Sequence, residues 1–496
     1  MGWFRNMVMK MLKIQPATES KPIVIREPLS YGTSVLRNRL WYRGDPSELD
    51  QFYKQTATDA VAKSRFWAAV PSEDLAIRKI HSGLPAMIVE RLSDIVVADM
   101  DGIALKTDAE NELWNEINKD NDFDELVGES ITDALIAGDG AFKITIDTAV
   151  TKYPIIEFFS GEQVDYKRTR NRLQEILFYT EYTHKEKDYR LEEAFGRGYI
   201  NFCLFDAEGR EVPLTSIPQT AELKDVKFSG DFIMAVPLYF FKSPKWKGRG
   251  KSVFESKADS FDALDEVISQ WVDAIRSGRV QKYIPDDLLP KDPHDGSLLK
   301  PNPFDNQFIR VGSSLKEDDK NEMKMVQPAI LYEAFVSTYA SALDMCLQGI
   351  ISPATLGIDL KKTDNAEAQR EKEKATLYTR GKIIDTLNDV IPQVVATVMK
   401  VYDTMLNRTA GEYDVSVTFG EYASPSFDAV VETVMKARGG APVMSTEQAV
   451  EELYGDTWTD EEKAAEVQRI KAEEGVTRMD EPQVGEYDDP PGDGDE

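Results

Sequence analysis

The chain has 496 residues, of which 42% are hydrophobic and 29% are charged, and its formal net charge is −28. This length predicts about two to four domains, and the composition excludes a disordered chain. The two cysteines, Cys203 and Cys346, exclude a disulfide framework and favour a reducing compartment. The acidic balance argues against a protein that grips nucleic-acid phosphates with a basic face.

The first 14 residues predict an amphipathic helix that packs on protein. Arg5, Lys10 and Lys13 interrupt its apolar side chains, so no continuous signal-peptide core is present. No apolar run elsewhere approaches the length of a membrane span. We therefore expect no membrane partner.

The N-terminal half predicts helices followed by strands. Asp45 and Pro46 predict the start of a helix that reaches about Val61. Further predicted elements are helices over 73–94 and 108–137 and strands over 142–147, 155–159, 175–182, 199–205 and 232–241. This order predicts an α+β fold with a largely antiparallel sheet.

Two helix-length apolar patterns follow. The first is predicted to start at Ser252, which forms a capping box with Glu255, and to end at Gly278. The second opens at Pro328 and closes at Gly349. The apolar side chains expected to pack these helices are Phe254, Phe261, Leu264, Ile268, Trp271, Leu331 and Phe335.

The segment between the two helices is rich in proline. Its first half contains Pro285, Pro290, Pro293, Pro301 and Pro303. Proline lacks the backbone N–H that a helix interior or a central strand needs, so neither is expected there. The segment should therefore form an insert at one end of the helix pair.

The C-terminal part is predicted to be helical. After a loop over 352–365, Asn365 should cap a long helix that runs through Tyr402 and bends at Pro392. Later helices are predicted to start at Ser424, at Ser445 with Gln448, and at Thr459 with Glu462, the last ending near Gly475. Residues 421–496 carry 21 acidic and six basic residues, and their last stretch is predicted to be mobile.

The most specific catalytic pattern is Asp99-Met100-Asp101-Gly102. After an apolar strand it would resemble the phosphotransferase motif of haloacid dehalogenases, with Asp99 as nucleophile and Asp101 as acid/base. Ile103 replaces the usual threonine, and the alternating strands and helices of a parallel sheet are missing. A surface turn is the preferred interpretation.

Two other patterns carry little chemistry. Gly250-Lys251-Ser252 matches the end of a phosphate-binding loop, but Lys245 occupies the position of its first glycine. His81, His184 and His294 have no cysteine or second histidine at ligand spacing. We expect no metal site, no cofactor and no catalytic residue.

An ordered set of segments resembles the portal proteins of tailed double-stranded DNA phages, particularly the siphophage type. The resemblance is carried by Gly250-Lys251-Ser252, residues 261–266 with Trp271, 283–288, 352–359, 367–374 and 378–380, and more loosely by nearly the whole chain from Trp41 onward. No one of these segments is specific alone. Together they imply the portal arrangement of a ring subunit.

The resemblance implies a division of the chain into named parts. These are a wing over 1–249, stem helices over 250–279 and 328–351, a clip over 280–327, a tunnel loop over 352–365, a long kinked helix returning to the wing over 366–423, a crown over 424–476 and an acidic flexible tail over 477–496.

The implied function is that of a head–tail connector. Such subunits form a ring, usually of 12 copies, at one capsid vertex, and the ring is a passive channel for packaging and ejection of double-stranded DNA. The implied partners are the terminase large subunit, the head-completion (adaptor) protein, and the major capsid and scaffolding proteins. The implied location is the virion, and the host cytoplasm during assembly.

The resemblance also implies which residues meet partners. Those expected to face DNA are Thr355, Leu356, Asp359, Lys361, Lys362 and Asp364, and those expected to face terminase or the adaptor are Lys282, Asp286, Asp287, Lys291, His294 and Lys300. The alternative for the tunnel loop is that it only seals neighbouring subunits. An acidic wall suits a sliding duplex, because strong phosphate contacts would slow it. The alternatives are the phosphotransferase described above and a capsid assembly adaptor that conducts no DNA.

Overall fold

The computed structural model divides the chain into two compact units, Met1–Gly420 and Glu421–Glu496. The residues that it describes are 27–70, 77–278, 281–285, 288–289, 293–294, 308–312, 323–327, 329–358, 366–420, 431, 434–435, 444–454 and 458–473. They combine helices with several sheets, so the predicted α+β fold class is confirmed. The predicted N-terminal amphipathic helix and the acidic tail lie outside the described residues.

The first unit begins with a layer of helices around one strand. They are α1 (Tyr31–Arg43), α2 (Pro46–Thr56), α3 (Ala60–Lys63), α4 (Leu84–Ala98), β1 (Met100–Leu105), α5 (Asp108–Asn121) and α6 (Phe123–Ala137). As predicted, the Asp45 side chain caps α2. The helix predicted over 73–94 instead starts at Leu84, after Gly83, and continues to Ala98. The one predicted over 108–137 is broken by Asp122, whose φ is 47°.

The strands that follow build two antiparallel sheets. They are β2 (Gly140–Thr145), β3 (Ile155–Ser160), β4 (Val164–Thr169), β5 (Arg172–His184), β6 (Lys187–Gly196), β7 (Tyr199–Asp206), β8 (Glu211–Val212), β9 (Val226–Lys227) and β10 (Ala235–Leu238). One sheet has the order β10-β2-β3, and the other runs β4-β5-β6-β7-β8 with β9 on β7. Strands β4 and β6 were not predicted, and the strand predicted over 232–241 is confined to Ala235–Leu238.

The remainder of the first unit contains the helix pair. Its elements are α7 (Ala258–Ser277), β11 (Gln281–Pro285), β12 (Phe308–Val311), β13 (Lys324–Val326), α8 (Tyr332–Leu347), α9 (Ala366–Met405) and β14 (Val415–Phe419), which pairs with β1. The first helix of the pair therefore starts at Ala258, six residues after the predicted Ser252. The Ser252 hydroxyl donates to the Leu135 carbonyl at 3.1 Å, which ties this segment to α6, and it accepts from Phe254 N at 3.1 Å in a turn that precedes the helix.

The insert between α7 and α8 contains a three-stranded sheet of order β12-β11-β13. Strand β11 is central, so the prediction that proline excludes a central strand is wrong at Pro285. Pro285 pairs with Val311 of β12, whereas the register with β13 ends at Tyr283. The missing N–H of the proline therefore lies beyond the β13 pairing, where it removes no bond to that strand.

The long helix α9 is confirmed over 40 residues and contains Pro392. Its predicted cap, Asn365, lies outside the described residues. Proline deprives the carbonyl four residues earlier, that of Asn388, of its helical partner, and Asn388 is exposed. The bend at Pro392 remains a prediction.

The main core of the first unit lies where α4, α6 and α9 meet the β10-β2-β3 sheet. Its largest fully buried side chains include Trp41, Trp67, Trp114, Phe123 and Phe142. A smaller cluster of Leu191, Leu204 and Ile217 fills the distal part of the second sheet.

The second unit contains α10 (Thr446–Tyr454) and α11 (Asp460–Glu473). Both predicted helix starts are confirmed, because the Ser445 hydroxyl accepts from Gln448 N and Thr459 exchanges hydrogen bonds with Glu462. Buried Ala449, Val450 and Val467 pack the two helices together. Most of the helix predicted from Ser424 lies outside the described residues.

Candidate functional site around the helix pair

The N-terminal half of α7 is fixed by buried carboxylates. Asp262 accepts hydrogen bonds from the backbone N–H groups of Phe66 at 2.9 Å and Trp67 at 3.1 Å. Burial raises the pKa of Asp262, and the two hydrogen bonds oppose that effect. This aspartate therefore ties α7 to the segment before α4.

Asp265, one turn along, makes three further contacts. Its side chain is fully buried and accepts from Trp67 Nε1 at 3.2 Å and from Ser82 N at 2.9 Å, and it lies 2.7 Å from His81 Nδ1. Because every contact is to one short segment of the same chain, Asp265 positions α7. His81 is a structural partner in this arrangement.

The apolar residues predicted to pack the helix pair divide between two environments. Phe254, Phe261 and Leu264 are buried in the main core. Trp271 instead stacks on Phe335 of α8, with ring centroids 6.1 Å apart and planes 4° from parallel. Ile268 is partly buried against the core, and Leu331 is 72% exposed.

We call residues 258–269 and 342–347 the base of the helix pair, and residues 270–277 and 331–339 its distal end. Base residues Ala342, Leu343 and Leu347 are buried. At the distal end, four large apolar side chains remain exposed: Ile275 by 52%, Leu331 by 72%, Tyr332 by 62% and Val336 by 47%. A single chain therefore leaves this apolar surface uncovered.

Cys346 lies in the base and is fully buried. Burial raises the pKa of its thiol to about 12, so the thiol is protonated at neutral pH and a poor nucleophile. Nearby, the Lys257 ammonium donates to the Met345 carbonyl at 2.6 Å. Both residues have a structural role at the end of α8.

The segment after α8 is anchored to α9 by threonine hydroxyls. Thr376 Oγ1 accepts from Ser352 N at 2.9 Å and lies 2.8 Å from Thr355 Oγ1. The Thr379 hydroxyl donates to the Ile350 carbonyl at 2.6 Å. The chain entering the predicted tunnel loop is thus held at a fixed position on α9.

The expectation that Leu356 faces DNA does not agree with its position in this chain. A 3-10 turn over Ala354–Leu356, followed by left-handed Gly357, folds Leu356 back against the core, where it is 8% exposed. Thr355 is partly exposed. Asp359, Lys361, Lys362 and Asp364 lie outside the described residues and stay predictions.

Of the residues predicted to face terminase or the adaptor, the described ones are Lys282 and His294. Lys282 lies in the central strand β11, opposite Phe308 and Met325, and His294 is exposed. The others, Asp286, Asp287, Lys291 and Lys300, lie outside the described residues.

Asp99 has a structural position that excludes the phosphotransferase arrangement considered above. The apolar residues before it belong to α4, not to a strand, and β1 after it pairs with β14 in a two-stranded antiparallel sheet. The Asp99 carboxylate accepts from Arg380 Nε at 2.9 Å, and Arg380 also donates to the Gly420 carbonyl at 2.6 Å. Asp99 therefore joins α9 to the end of β14.

The described parts of the chain contain neither a metal-ion cluster nor a membrane-spanning helix. There, no group of three or more His, Cys, Asp or Glu side chains is arranged to hold a metal ion. None of the helices described is both long and apolar enough to span a bilayer.

The chain is similar to known proteins in sequence and in structure. In solved structures, the chain is similar to a chain from "Neck of empty GTA particle computed with C6 symmetry", with 12% identity, coverage of 78% of this chain and 90% of that one, and a TM-score of 0.37. For "Neck of native GTA particle computed with C12 symmetry" the identity is 12%, the coverages are 77% and 89%, and the TM-score is 0.35. No curated protein matches. Residues 34–477 match the family described as phage portal protein, SPP1 Gp6-like, and the chain belongs to that family.

Proposed function

We propose that this protein is the portal subunit of a phage-like particle, and that many copies form a ring at one capsid vertex through which double-stranded DNA passes during packaging and ejection. Membership of the portal family supports the connector role. The observation that supports a ring is the exposed apolar surface at the distal end of the helix pair.

The apolar side chains exposed at the distal end would stay in water if the chain acted as a monomer. Leu331 immediately precedes α8, Tyr332 and Val336 lie in its first two turns, and the three are 72%, 62% and 47% exposed. Contiguous apolar surface of this kind marks a protein contact. In a ring, the helix pair of each copy would cover that of the next, and the base would hold the pair on the body of its own subunit.

The charge of the chain supports a channel that does not grip its cargo. Twelve copies of a chain with net charge −28 form a strongly acidic assembly, and an acidic wall repels the DNA backbone. A duplex could then slide without sequence-specific contacts. The lysines Lys361 and Lys362, with Asp359 and Asp364 beside them, would supply weak and sequence-blind phosphate contacts.

We assign the small sheet of β11, β12 and β13 to the clip, which would dock terminase during packaging and the head-completion protein afterwards. Lys282 and exposed His294 belong to this region. Major capsid and scaffolding proteins would contact the body of the ring. The protein would lie in the virion, and in the host cytoplasm before assembly.

No hydrolytic step is assigned to this chain. The carboxylate of Asp99 is paired with Arg380 at 2.7 Å, which favours an architectural role for the aspartate pattern. A separate motor would supply the energy for translocation. A capsid adaptor without a channel remains the second candidate function, and images of the assembly distinguish the two.

Electron microscopy of the purified chain tests the proposal. We expect a symmetric annulus with an axial hole wide enough for a duplex. A monomer at high concentration, or a closed assembly without a hole, would contradict it. For the tunnel loop, Lys361→Glu with Lys362→Glu should change DNA retention or packaging while the ring persists, and unchanged packaging would remove the role given to these lysines.

A further inference from the structure

Two basic segments stand out in this acidic chain and belong to no function assigned above. Four of the six residues over 167–172 are basic, as are five of the ten over 242–251, and neither segment contains an acid. The segments are neighbours. Arg249 donates to the Val164 carbonyl at 2.6 Å, and the Arg168 side chain lies against Gly248. We call the two segments together the basic patch.

Carboxylates of the same chain neutralise three cations of the basic patch. The pairs are Lys167 with Glu175 at 2.9 Å, Lys245 with Glu27 at 3.3 Å and Arg249 with Asp139 at 2.9 Å. Among the residues that the structure describes, six further cations of the patch have no ion pair: Arg168, Arg170, Arg172, Lys242, Lys247 and Lys251. The patch is therefore a concentration of uncompensated positive charge.

The hairpin turn between β4 and β5 presents part of this charge in a fixed geometry. Arg170 and Asn171 have φ values of 51° and 64°, as in the tight turns that join two antiparallel strands. Arg170 and Arg172 are both exposed at this turn. Their guanidinium groups are therefore accessible to a partner at the tip of the β4–β5 hairpin.

A surface of opposite charge lies between α4 and α6. A groove of about 910 Å³ is lined there by five carboxylate residues and by no basic residue. Asp133 is paired with Arg39 at 3.1 Å. The other four, which are exposed and have no ion pair within the described residues, are Asp94, Asp124, Glu125 and Glu129. We call this surface the acidic groove.

The N-terminal part of the acidic groove lies too far from the basic patch for the two to neutralise each other within one chain. Gly138, just after α6, packs against the backbone of Gly250, so the C-terminal end of α6 adjoins the basic patch. Asp124 and Glu125 lie at the other end of this 15-residue helix. At 1.5 Å per residue the ends are about 20 Å apart, which exceeds the screening length of about 8 Å at physiological salt.

We propose that the basic patch of one copy receives the acidic groove of the next copy in the ring. This contact rests on the proposed ring, because a closed ring joins two different faces of identical subunits. Subunits that each carry a net charge of −28 repel one another. Opposed charge at the contact lowers that repulsion and fixes which face meets which.

The chief competing occupant of the patch is the phosphate backbone of duplex DNA. The second copy is favoured because the same chain already presents a complementary surface, four of whose five carboxylates have no ion pair within the described residues. DNA binding is measured alongside assembly in the test, so that the two occupants give different results.

Charge reversal at the hairpin turn tests the contact. Arg170→Glu with Arg172→Glu should reduce the fraction of chains in rings about tenfold or more at low salt, because attraction becomes repulsion at the contact. The matched control is Lys185→Glu with Lys187→Glu, which makes the same charge change at the β5–β6 turn, where Lys185 and Glu186 also have positive φ. This control should assemble as the wild type does. Sedimentation velocity measures the ring fraction, and circular dichroism checks the fold.

A charge swap makes the test specific to the acidic groove. Asp94→Lys with Glu129→Lys alone should also reduce the ring fraction, because lysines in the acidic groove would repel the basic patch of the next copy. Both residues are exposed and lie within their helices, so the fold should tolerate the change. The four substitutions combined restore opposite charges across the contact and should recover most of the rings. Recovery would support this pairing of faces.

Three outcomes would overturn the proposal. The first is a hairpin variant that assembles like the wild type. The second is a hairpin variant whose rings persist but bind duplex DNA more weakly, which would assign the patch to phosphate. The third is a combined variant that is no better than either parent. If the wild-type chain forms rings while any of these outcomes is observed, only the proposed contact fails and the proposed function stands. If the wild-type chain never associates, the contact and the proposed function both fail.

Discussion

The two ends of the helix pair differ in what holds them in place. At the base, α7 places Phe261 in the main core and holds buried Asp262 and Asp265 against the segment before α4. At the distal end, Trp271 of α7 stacks on Phe335 and lies against Tyr339 of α8. The same two helices are thus part of a domain core at one end and exposed at the other.

The difference shows how stability and assembly can be separated within one element. Base residues contribute to the free energy of folding whether or not copies associate. Distal residues have little to contribute to a single chain, because their apolar side chains stay in water. Substitutions at the two ends should therefore change different measured quantities.

The largest difference is expected from the same substitution at the two ends. Phe261→Ala empties a site that is fully buried and should lower the free energy of unfolding by about 4 kcal/mol. Phe335→Ala removes a half-buried ring and should cost about 1 kcal/mol. Urea titrations followed by tryptophan fluorescence measure both, and equal losses would mean that the two ends are not distinct.

A smaller effect is expected at the buried carboxylate. Asp265→Asn keeps the size of the side chain but replaces one acceptor oxygen by a donor beside Trp67 Nε1 or Ser82 N. The free energy of unfolding should fall by about 2 kcal/mol. Asp273→Asn, on the same helix at the distal end, is the control and should stay within about 0.5 kcal/mol; a loss as large as that of Asp265→Asn would break the comparison.

Thr379→Val tests the anchor of the segment after α8. It deprives the Ile350 carbonyl of its donor and should cost about 1 kcal/mol. Thr386→Val is matched, since the Thr386 hydroxyl donates only to Lys382 O within its own helix, and it should cost less than about 0.5 kcal/mol. Thermal unfolding compares the two, and a neutral Thr379→Val would show that the anchor adds no stability.

The smallest change in the free energy of unfolding is expected from a substitution at Leu331, which should nevertheless change ring assembly. Leu331 is 72% exposed, so Leu331→Ser should alter the free energy of unfolding by less than about 0.5 kcal/mol. The ring fraction should fall, because the proposed contact loses apolar area. Leu36→Ser, at a residue 47% exposed outside the helix pair, should leave the rings intact. Sedimentation of both variants would sharpen the comparison, and intact rings in Leu331→Ser would count against the distal contact.

Elements governed by local chemistry could be predicted from the sequence. The apolar period of α9 gave its length, and the capping pairs at Ser445 and Thr459 gave the starts of α10 and α11. Helix periodicity and reciprocal caps depend on residues within one or two turns. Such elements need no knowledge of the tertiary structure.

Elements decided by distant contacts were missed. The capping pair Ser252 and Glu255 is as good locally as that of Thr459, but Ser252 donates to the Leu135 carbonyl, more than 100 residues away, and the helix starts only at Ala258. Strand β6 was overlooked because it is rich in charge, yet its Glu193 is buried against Lys143 at 2.7 Å. Local pattern alone does not reveal such partners.

The candidate site was predicted in outline but not residue by residue. The helix pair, the insert and the long helix were identified, whereas Leu356 was expected to face DNA and is buried. The polar anchors Asp262 and Asp265 were not singled out as positioning residues. Their signal was present, because two carboxylates three residues apart directly follow the buried Phe261 and Leu264 on the inward face of α7.

Pro392 lies within the helix that joins the segment after α8 to the strand β14. The carbonyl that it leaves without a helical partner belongs to Asn388, on the water-facing side, while the neighbouring Ile391 and Val394 stay buried. Water can therefore satisfy that oxygen without a protein partner. Proline thus interrupts the hydrogen bonds of the long helix on its water-facing side, while the side that packs on the core is continuous across Pro392.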